Sequence, residues 1–363
     1  MRKPTDYPFM KGLKLSELFY QDAVRPILGE HFPNVPYSAA LIGHGSEVQG
    51  FDDSQSMDHD WGPRLLVFLD DADFPVHRER IDLALRHHLP REFQGYPTDL
   101  AGSTTGNDTA DNGLVNHRVC LLSFRSFFKE CLRFDPEEKP RAVDWLVLPE
   151  EFLRSFTAGG VFHDGLGRLE QLRALLRYYP YDVWLYKLAV QWQRISQEEH
   201  FMGRCGQVGD ELGSRLVASR LVHDVMRLGF LLERQYAPYI KWFGTAFAQL
   251  DCAQHLIPIL TDVLSAGTWQ EREKHLSKAY EFTTRLHNDL GISESLPTHV
   301  SPFYDRPFMV IHAERFAEIT RRAITSEEVL ALPPYLGGFD QFIDSTDILN
   351  YPACRDTLKL MFR

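Results

Sequence analysis

The sequence predicts an N-terminal α+β domain followed by a C-terminal all-α helical-bundle domain. Three observations lead there. In the first 150 residues short apolar runs of strand length alternate with amphipathic stretches, beyond Gly167 the texture changes to long helical stripes, and 363 residues exceed what one core usually organises. The expected division is 1–150 and 151–363, with the junction in the Pro- and Gly-broken region from Asp135 to Gly167.

Leu13, Leu15, Leu18, Phe19, Val24, Ile27 and Leu28 recur at helical spacing before Pro33 and Pro36, which predicts an opening helix of about five turns. SAALIG, Ser38 to Gly43, reads as a buried strand that runs into a glycine turn, and LLVFLD, Leu65 to Asp70, as a second strand. Ile81, Leu83, Leu85 and Leu89 among charged neighbours predict a surface helix over Val76 to Leu89, ended by Pro90. Ala101 to Asn116 is polar and rich in turn formers, so a long exposed loop is expected, either a lid or a plain connector. VCLLSF, Val119 to Phe124, is a further strand, and SFFKECLRF the helix after it. From Leu169 to about His287 the stripes in LEQLRALLRYY, VWLYKLAVQWQRI, SRLVASRLVHDVMRLGFLLERQY and HLIPILTDVLS predict an antiparallel bundle with Trp184, Trp192 and Trp242 in its core. AERFAEITRRAI is a later short helix.

The balance of 39 basic and 50 acidic residues, a formal charge of -11, argues against a long nucleic acid as partner and for a small molecule or a protein. The five cysteines are scattered without a C-x-x-C pair, which suits reduced thiols in a cytoplasmic protein. The N-terminal stretch has no continuous apolar core and nothing later reaches 18 uninterrupted apolar residues, so neither a signal peptide nor a membrane partner is expected.

Chemistry concentrates between Gly43 and Asp70, in GHGSEVQGFDDSQSMDHDWGPRLLVFLD. If Asp58 and Asp60 enter an extended strand they share a face, with His59 opposite. Carboxylates held that close repel, and a divalent cation relieves the repulsion: hard oxygen ligands suit Mg²⁺, with phosphate oxygens completing its shell. Upstream, Gly43, Gly45 and Ser46 follow a buried strand, so amide N–H groups and a hydroxyl can face phosphate oxygens. Either motif alone occurs on ordinary turns; in this order, each against a buried strand, they are more specific.

This arrangement resembles the nucleotidyltransferase superfamily, the polymerase-β-like fold that includes the antibiotic (aminoglycoside) nucleotidyltransferases. Gly45 and Ser46 match its Gly-Ser turn, Gly50 a frequent glycine within the intervening turn, and Asp58 and Asp60 its metal aspartates. SMDHDWGPRL, GRCGQVGDELGS and YAPYIKWFGTAF are similar to an uncharacterised bacterial family of that superfamily, one labelled a domain of unknown function. The resemblance implies a mixed sheet flanked by helices, with Gly45 and Ser46 holding triphosphate oxygens and Asp58 and Asp60 binding Mg²⁺. Many members use a third carboxylate from a later strand. Here HRVCLLSF has no acid, with Cys120 near the expected place, and Asp99, Asp108 and Asp111 lie only in neighbouring segments.

The resemblance further suggests that the helical half supplies a cation and a base. Lys241, after Pro238, is the candidate triphosphate contact; a lysine stem lying along an aromatic surface explains the same residue. Glu198, Glu199, Asp210 and Glu211 are candidate bases, and helix caps explain them equally. Arg64 reaches either a phosphate or, more readily, a neighbouring aspartate. The resulting expectation is a Mg²⁺-dependent nucleotidyltransferase that moves a nucleoside monophosphate, AMP foremost, from an NTP such as ATP to a hydroxyl of a small molecule or protein. The alternative is a catalytically silent nucleotide-binding module that lacks the third acid.

Overall fold

A computed structural model describes residues 9–58, 61–99 and 113–363. Contacts divide the chain into two compact units: residues 1–139 with 152–177, and residues 140–151 with 178–363.

The first unit is built on a four-stranded mixed sheet in the order β3-β2-β1-β4: β1 is Tyr37–Leu41, β2 Leu65–Leu69, β3 Val119–Ser123 and β4 Gly160–Asp164. β1 runs antiparallel to both β2 and β4, and β2 runs parallel to β3. Ala39, Ala40, Val67 and Phe68 are fully buried, because both faces of the sheet are covered and central strands of that kind are apolar throughout rather than alternating. On one face Leu65, Val67 and Leu69 pack with Phe19, Val24 and Leu28 of the opening helix and with Ile81 and Leu85 of the helix Phe74–His88. On the other, Phe68 meets Phe124 and Phe128, and Phe128 meets Phe156.

The expected opening helix is present but interrupted. It consists of α1, Gly12–Phe19, a π-helical turn at Tyr20–Val24, and α2, Arg25–His31. Pro26 lies in the first turn of α2 and has no N–H to return to the preceding turn, which places the irregularity there. α3, Ser46–Gln49, follows the glycine turn; α4, Phe74–His88, crosses over between β2 and β3; α5, Phe124–Leu132, leaves β3. GVFHD at β4 was not foreseen. It is only five residues long, begins at glycine, and is half-buried, so it carries no periodic signal. The segment expected as a lid or connector lies mostly outside the described residues, as do Asp108 and Asp111.

The second unit is helical apart from a two-stranded ribbon, Ser301–Pro302 with Met309–Val310. After α6, Leu169–Leu176, which belongs to the first unit, come α7, Tyr181–Glu198, α8, Phe201–Gln207, α9, Glu211–Leu232, α10, Ile240–Phe247, α11, Ala253–Ser265, α12, Trp269–Asp289, and α13, Ala313–Arg322. α7 is its axis: α13 and α9 pack along it, α12 packs on α9, and α11 pairs with α12. Trp184 and Trp192 are buried as expected, whereas Trp242 is half-buried. Among the described residues no helix is long and apolar enough to cross a membrane.

Candidate functional site

β1 ends at Leu41 and the chain turns through two glycines at positive φ, +92° at Gly43 and +134° at Gly45. The Gly43 N–H donates to the Ser155 carbonyl at 2.9 Å, which ties the turn to the end of the helix Glu150–Thr157 that precedes β4. A Cβ on Gly45 would stand 2.5 Å from both Arg64 Nη2 and Glu47 Oε2, so a side chain there would have to displace the ends of that ion pair, on top of a φ that glycine adopts most easily. Glu47, in the first turn of α3 and only 2% exposed, takes Arg64 Nε at 2.8 Å and Nη2 at 2.6 Å, while Nη2 also donates to the His44 carbonyl at 2.6 Å. Arg64 therefore braces the turn rather than standing free for a phosphate. Ser46 opens α3, and its hydroxyl has no hydrogen-bond partner among the described residues.

Two acids that sequence reading passed over shape the route to Asp58. Asp52, 2% exposed, accepts the Gly12 N–H at 2.7 Å and the Trp61 Nε1–H at 3.0 Å, with Lys11 Nζ at 3.3 Å. A Cβ on Gly12 would meet Trp61 Nε1 at 2.6 Å, so that glycine serves the contact. Asp53 folds back on the N–H groups of Gln55 at 2.8 Å and Ser56 at 3.1 Å, an Asx turn that launches a 3₁₀ turn at Ser56–Asp58. The only sequence signal for these roles was the FDDS cluster itself.

The strand expected to begin at the aspartate pair does not extend to Asp58. β2 starts at Leu65, after Gly62 at φ +133° and Pro63, which has no N–H for a ladder. Alternation along a strand therefore does not govern Asp58. The Asp58 side chain and all of Asp60 lie outside the described residues.

Gly45 and Ser46 share the first unit with the approach to Asp58; Lys241 belongs to the second. It is exposed at the start of α10, its Nζ 5.1 Å from the centroid of the Trp242 ring. β3 brings no acid beside β2: Cys120 pairs with Leu66 and is exposed. Asp99 accepts from Arg91 Nη1 at 2.8 Å and from the Asn116 N–H at 3.3 Å. Among the described residues no three His, Cys, Asp or Glu side chains gather as metal ligands.

The candidate bases of the helical half are occupied. Asp210 caps α9 through the Gly213 N–H at 2.8 Å, Glu211 pairs with buried Arg272, and Glu198 pairs with Arg220 at 2.5 Å. Glu199, whose pKa burial pushes up to about 7, accepts the N–H groups of Ile311 at 2.8 Å and Ala313 at 3.1 Å where α13 begins. Two of the neighbouring glycines allow close packing, since a Cβ on Gly206 would run into Trp269 at 2.2 Å and one on Gly203 into Phe308 at 2.8 Å, whereas Gly209 turns the chain at φ +83°.

The molecule thus combines a mixed-sheet α/β unit, with a glycine-serine turn after its central strand, and a helical unit. Residues 145–243 match the family described as Domain of unknown function (DUF4037). Two of the three segments that carried the sequence resemblance reach into that match, while the glycine-serine turn and the aspartate pair precede it. No curated protein matches the chain. A nucleotidyltransferase-like protein from Exiguobacterium sibiricum is similar at 13% identity over 74% of this chain and 75% of that one, with a TM-score of 0.32, a superposition too loose to establish a common fold.

Proposed function

We propose that the first unit is a nucleotidyltransferase-type nucleotide site, and that the chain transfers a nucleoside monophosphate from an NTP, with ATP the first to test, to a hydroxyl of a small molecule or protein. One observation supports it above the others: a buried strand, a turn whose Gly45 sits at φ +134°, a Ser46 hydroxyl without a hydrogen-bond partner among the described residues, then the Asp58-x-Asp60 pair in sequence before the neighbouring antiparallel strand. In this reading the turn's N–H groups and Ser46 hold phosphate oxygens. Asp58 and Asp60 are hard oxygen donors of the kind Mg²⁺ takes, and the ion, when bound, would neutralise phosphate charge. The Arg64–Glu47 brace fixes the shape of the turn before a ligand arrives, which lowers the ordering cost of binding.

A second reading, a nucleotide-binding module without turnover, is favoured by one specific observation: β3 carries no carboxylate, and Asp99 is bonded to Arg91. Pure protein incubated with labelled NTPs, Mg²⁺ and a metabolite and protein extract separates the two. Label transfer that Asp58→Ala and Asp60→Ala abolish supports the enzyme. Saturable NTP binding without transfer supports the module, and absence of NTP binding removes both.

A further inference from the structure

The helical unit contains a cavity of about 650 Å³, large enough for a small organic ligand. Ile240, which lines it, is 70% exposed, so the cavity opens to solvent. Its apolar wall includes the rings of Phe243 and Phe342, and its polar wall is charged. Each of the three guanidinium groups on that wall is already matched: Arg194 with Asp224 at 3.2 Å, Arg220 with Glu198 at 2.5 Å, Arg227 with Asp340 at 2.8 Å. Glu150, also on the wall, is matched by Lys187 at 3.2 Å from beneath. Two lining carboxylates remain, the half-buried Glu151, which Arg227 and Arg355 oppose only from beyond ion-pair distance, and the exposed Asp344; neither has a cation within 4 Å among the described residues.

Two carboxylates without an ion-pair partner, on an aromatic-walled cavity, favour a positive charge. The guanidinium groups are spent, so an anion gains little. A divalent metal ion needs a tight set of oxygen or nitrogen ligands, and the described residues offer no such group. We propose that this cavity binds an alkyl- or arylammonium ion, its nitrogen held by the Glu151 and Asp344 carboxylates and its apolar body against Phe243 and Phe342. An ammonium gains both from the charge-assisted hydrogen bonds and from the faces of the rings. The inference concerns the second unit alone and does not depend on the nucleotide reading of the first.

The protonation state of Glu151 supplies a signature. Burial first, then Asp340, pushes its pKa up to about 7, against the opposing effects of Arg227, Arg355 and a hydrogen bond with Asn350. A bound cation requires the ionised form, so binding near neutral pH expels a proton. His223, on the same wall, faces Arg227, Asp224, Arg194 and Asp344; burial pulls its pKa down to about 4, so it stays neutral between pH 6 and 8 and does not mask the effect.

The test is calorimetric titration of the full chain with phenethylamine and with its uncharged isostere 2-phenylethanol, at pH 8 and pH 6. The amine is expected to saturate one site, with affinity about tenfold weaker at pH 6, where Glu151 must first lose its proton, and with close to one proton released there. Glu151→Gln should remove the pH dependence and weaken binding at pH 8 by about tenfold; Asp344→Asn should weaken binding similarly but leave the pH dependence in place. If Glu151→Gln fails to fold, the wild-type pH profile and Asp344→Asn still decide. The proposal is overturned if the amine does not saturate at millimolar concentration, if the alcohol binds as tightly, or if wild-type affinity is the same at both pH values.

Discussion

Removing one cation from the interior of the helical unit should produce the largest single-residue effect. Lys187 in α7 is fully buried, with Nζ 2.9 Å from Asp340 Oδ1 and 3.2 Å from Glu150 Oε1. Arg227 lies 2.8 Å from Asp340 Oδ2 and 3.9 Å from Glu150 Oε1, so two cations balance two carboxylates. Lys187→Met keeps most of the stem's packing and deletes the charge, leaving a buried excess of one negative. At an effective dielectric of about 20, a charge pair about 3 Å apart attracts by roughly 5 kcal/mol before desolvation is counted. The ammonium's own desolvation is saved in the variant, which returns part of that, and the net loss expected is about 3–5 kcal/mol. Urea unfolding followed by helical circular dichroism should therefore show a midpoint lower by more than about 1 M at pH 7.

The same network gives the sign of the pH dependence. Burial raises the Asp340 pKa, but Lys187 and Arg227 more than offset it and hold it down to about 2, below its ordinary 3.8. A depressed carboxylate contributes stability that is complete above pH 4 and lost as pH falls toward 2, here roughly 2 kcal/mol. Much of that depends on Lys187, so the gap between wild type and Lys187→Met should be full at pH 5–7 and narrow below pH 4. A gap under about 1 kcal/mol at pH 7, or one that stays constant down to pH 2.5, would refute the reasoning.

Three other outcomes follow from the geometry. Gly45→Ala should cost about 2–4 kcal/mol, since it combines a φ that only glycine adopts easily with displacement of Arg64 and Glu47; Gly43→Ala, with open space at its Cβ, should cost only about 1 kcal/mol, and amide exchange across residues 37–50 distinguishes the two. Asp52→Ala leaves the Gly12 N–H and the Trp61 indole N–H without their acceptor and should destabilise the first unit by about 2–4 kcal/mol, read as faster exchange at the start of α1; unchanged protection there would show that water replaces the carboxylate. Glu151→Gln should raise stability at pH 8 and leave it unchanged at pH 4: the folded pKa is raised to about 7, so the wild type loses stability as pH rises from its ordinary value through 7, and the amide does not. Thermal melts at the two pH values check this, and equal shifts at both would contradict it.

Local order was largely legible. The apolar runs at Ser38 and Leu65 predict β1 and β2, VCLLSF predicts β3, and the stripes of α7 and α9 predict helices, because each element buries a face whose period is set by its own backbone. Gly45 stood out as a turn, yet its reason, the Arg64–Glu47 brace, lies in two residues whose letters suggested other roles. Asp52 was overlooked beside the more conspicuous Asp58 and Asp60, since a carboxylate that accepts a helix N–H and an indole N–H looks the same in sequence as a solvated one. Conversely, the glycine- and acid-rich segment around Asp210 suggested chemistry and serves capping and close packing.

By itself the sequence determined the succession of helices and strands, the glycine-serine turn after the first strand, and the shift from a sheet-bearing region to a helical one, for these depend on periodicities and conformational preferences within a few residues. Only the tertiary structure decided that β4 closes the far edge of the sheet and that residues 140–151 join the helical unit. It alone brought Glu150, Lys187, Arg227 and Asp340 into one buried network, with Glu150 and Asp340 190 residues apart. The reason is physical: pairing between buried charges depends on distance in space and on exclusion of water, neither of which leaves a periodic trace along the chain.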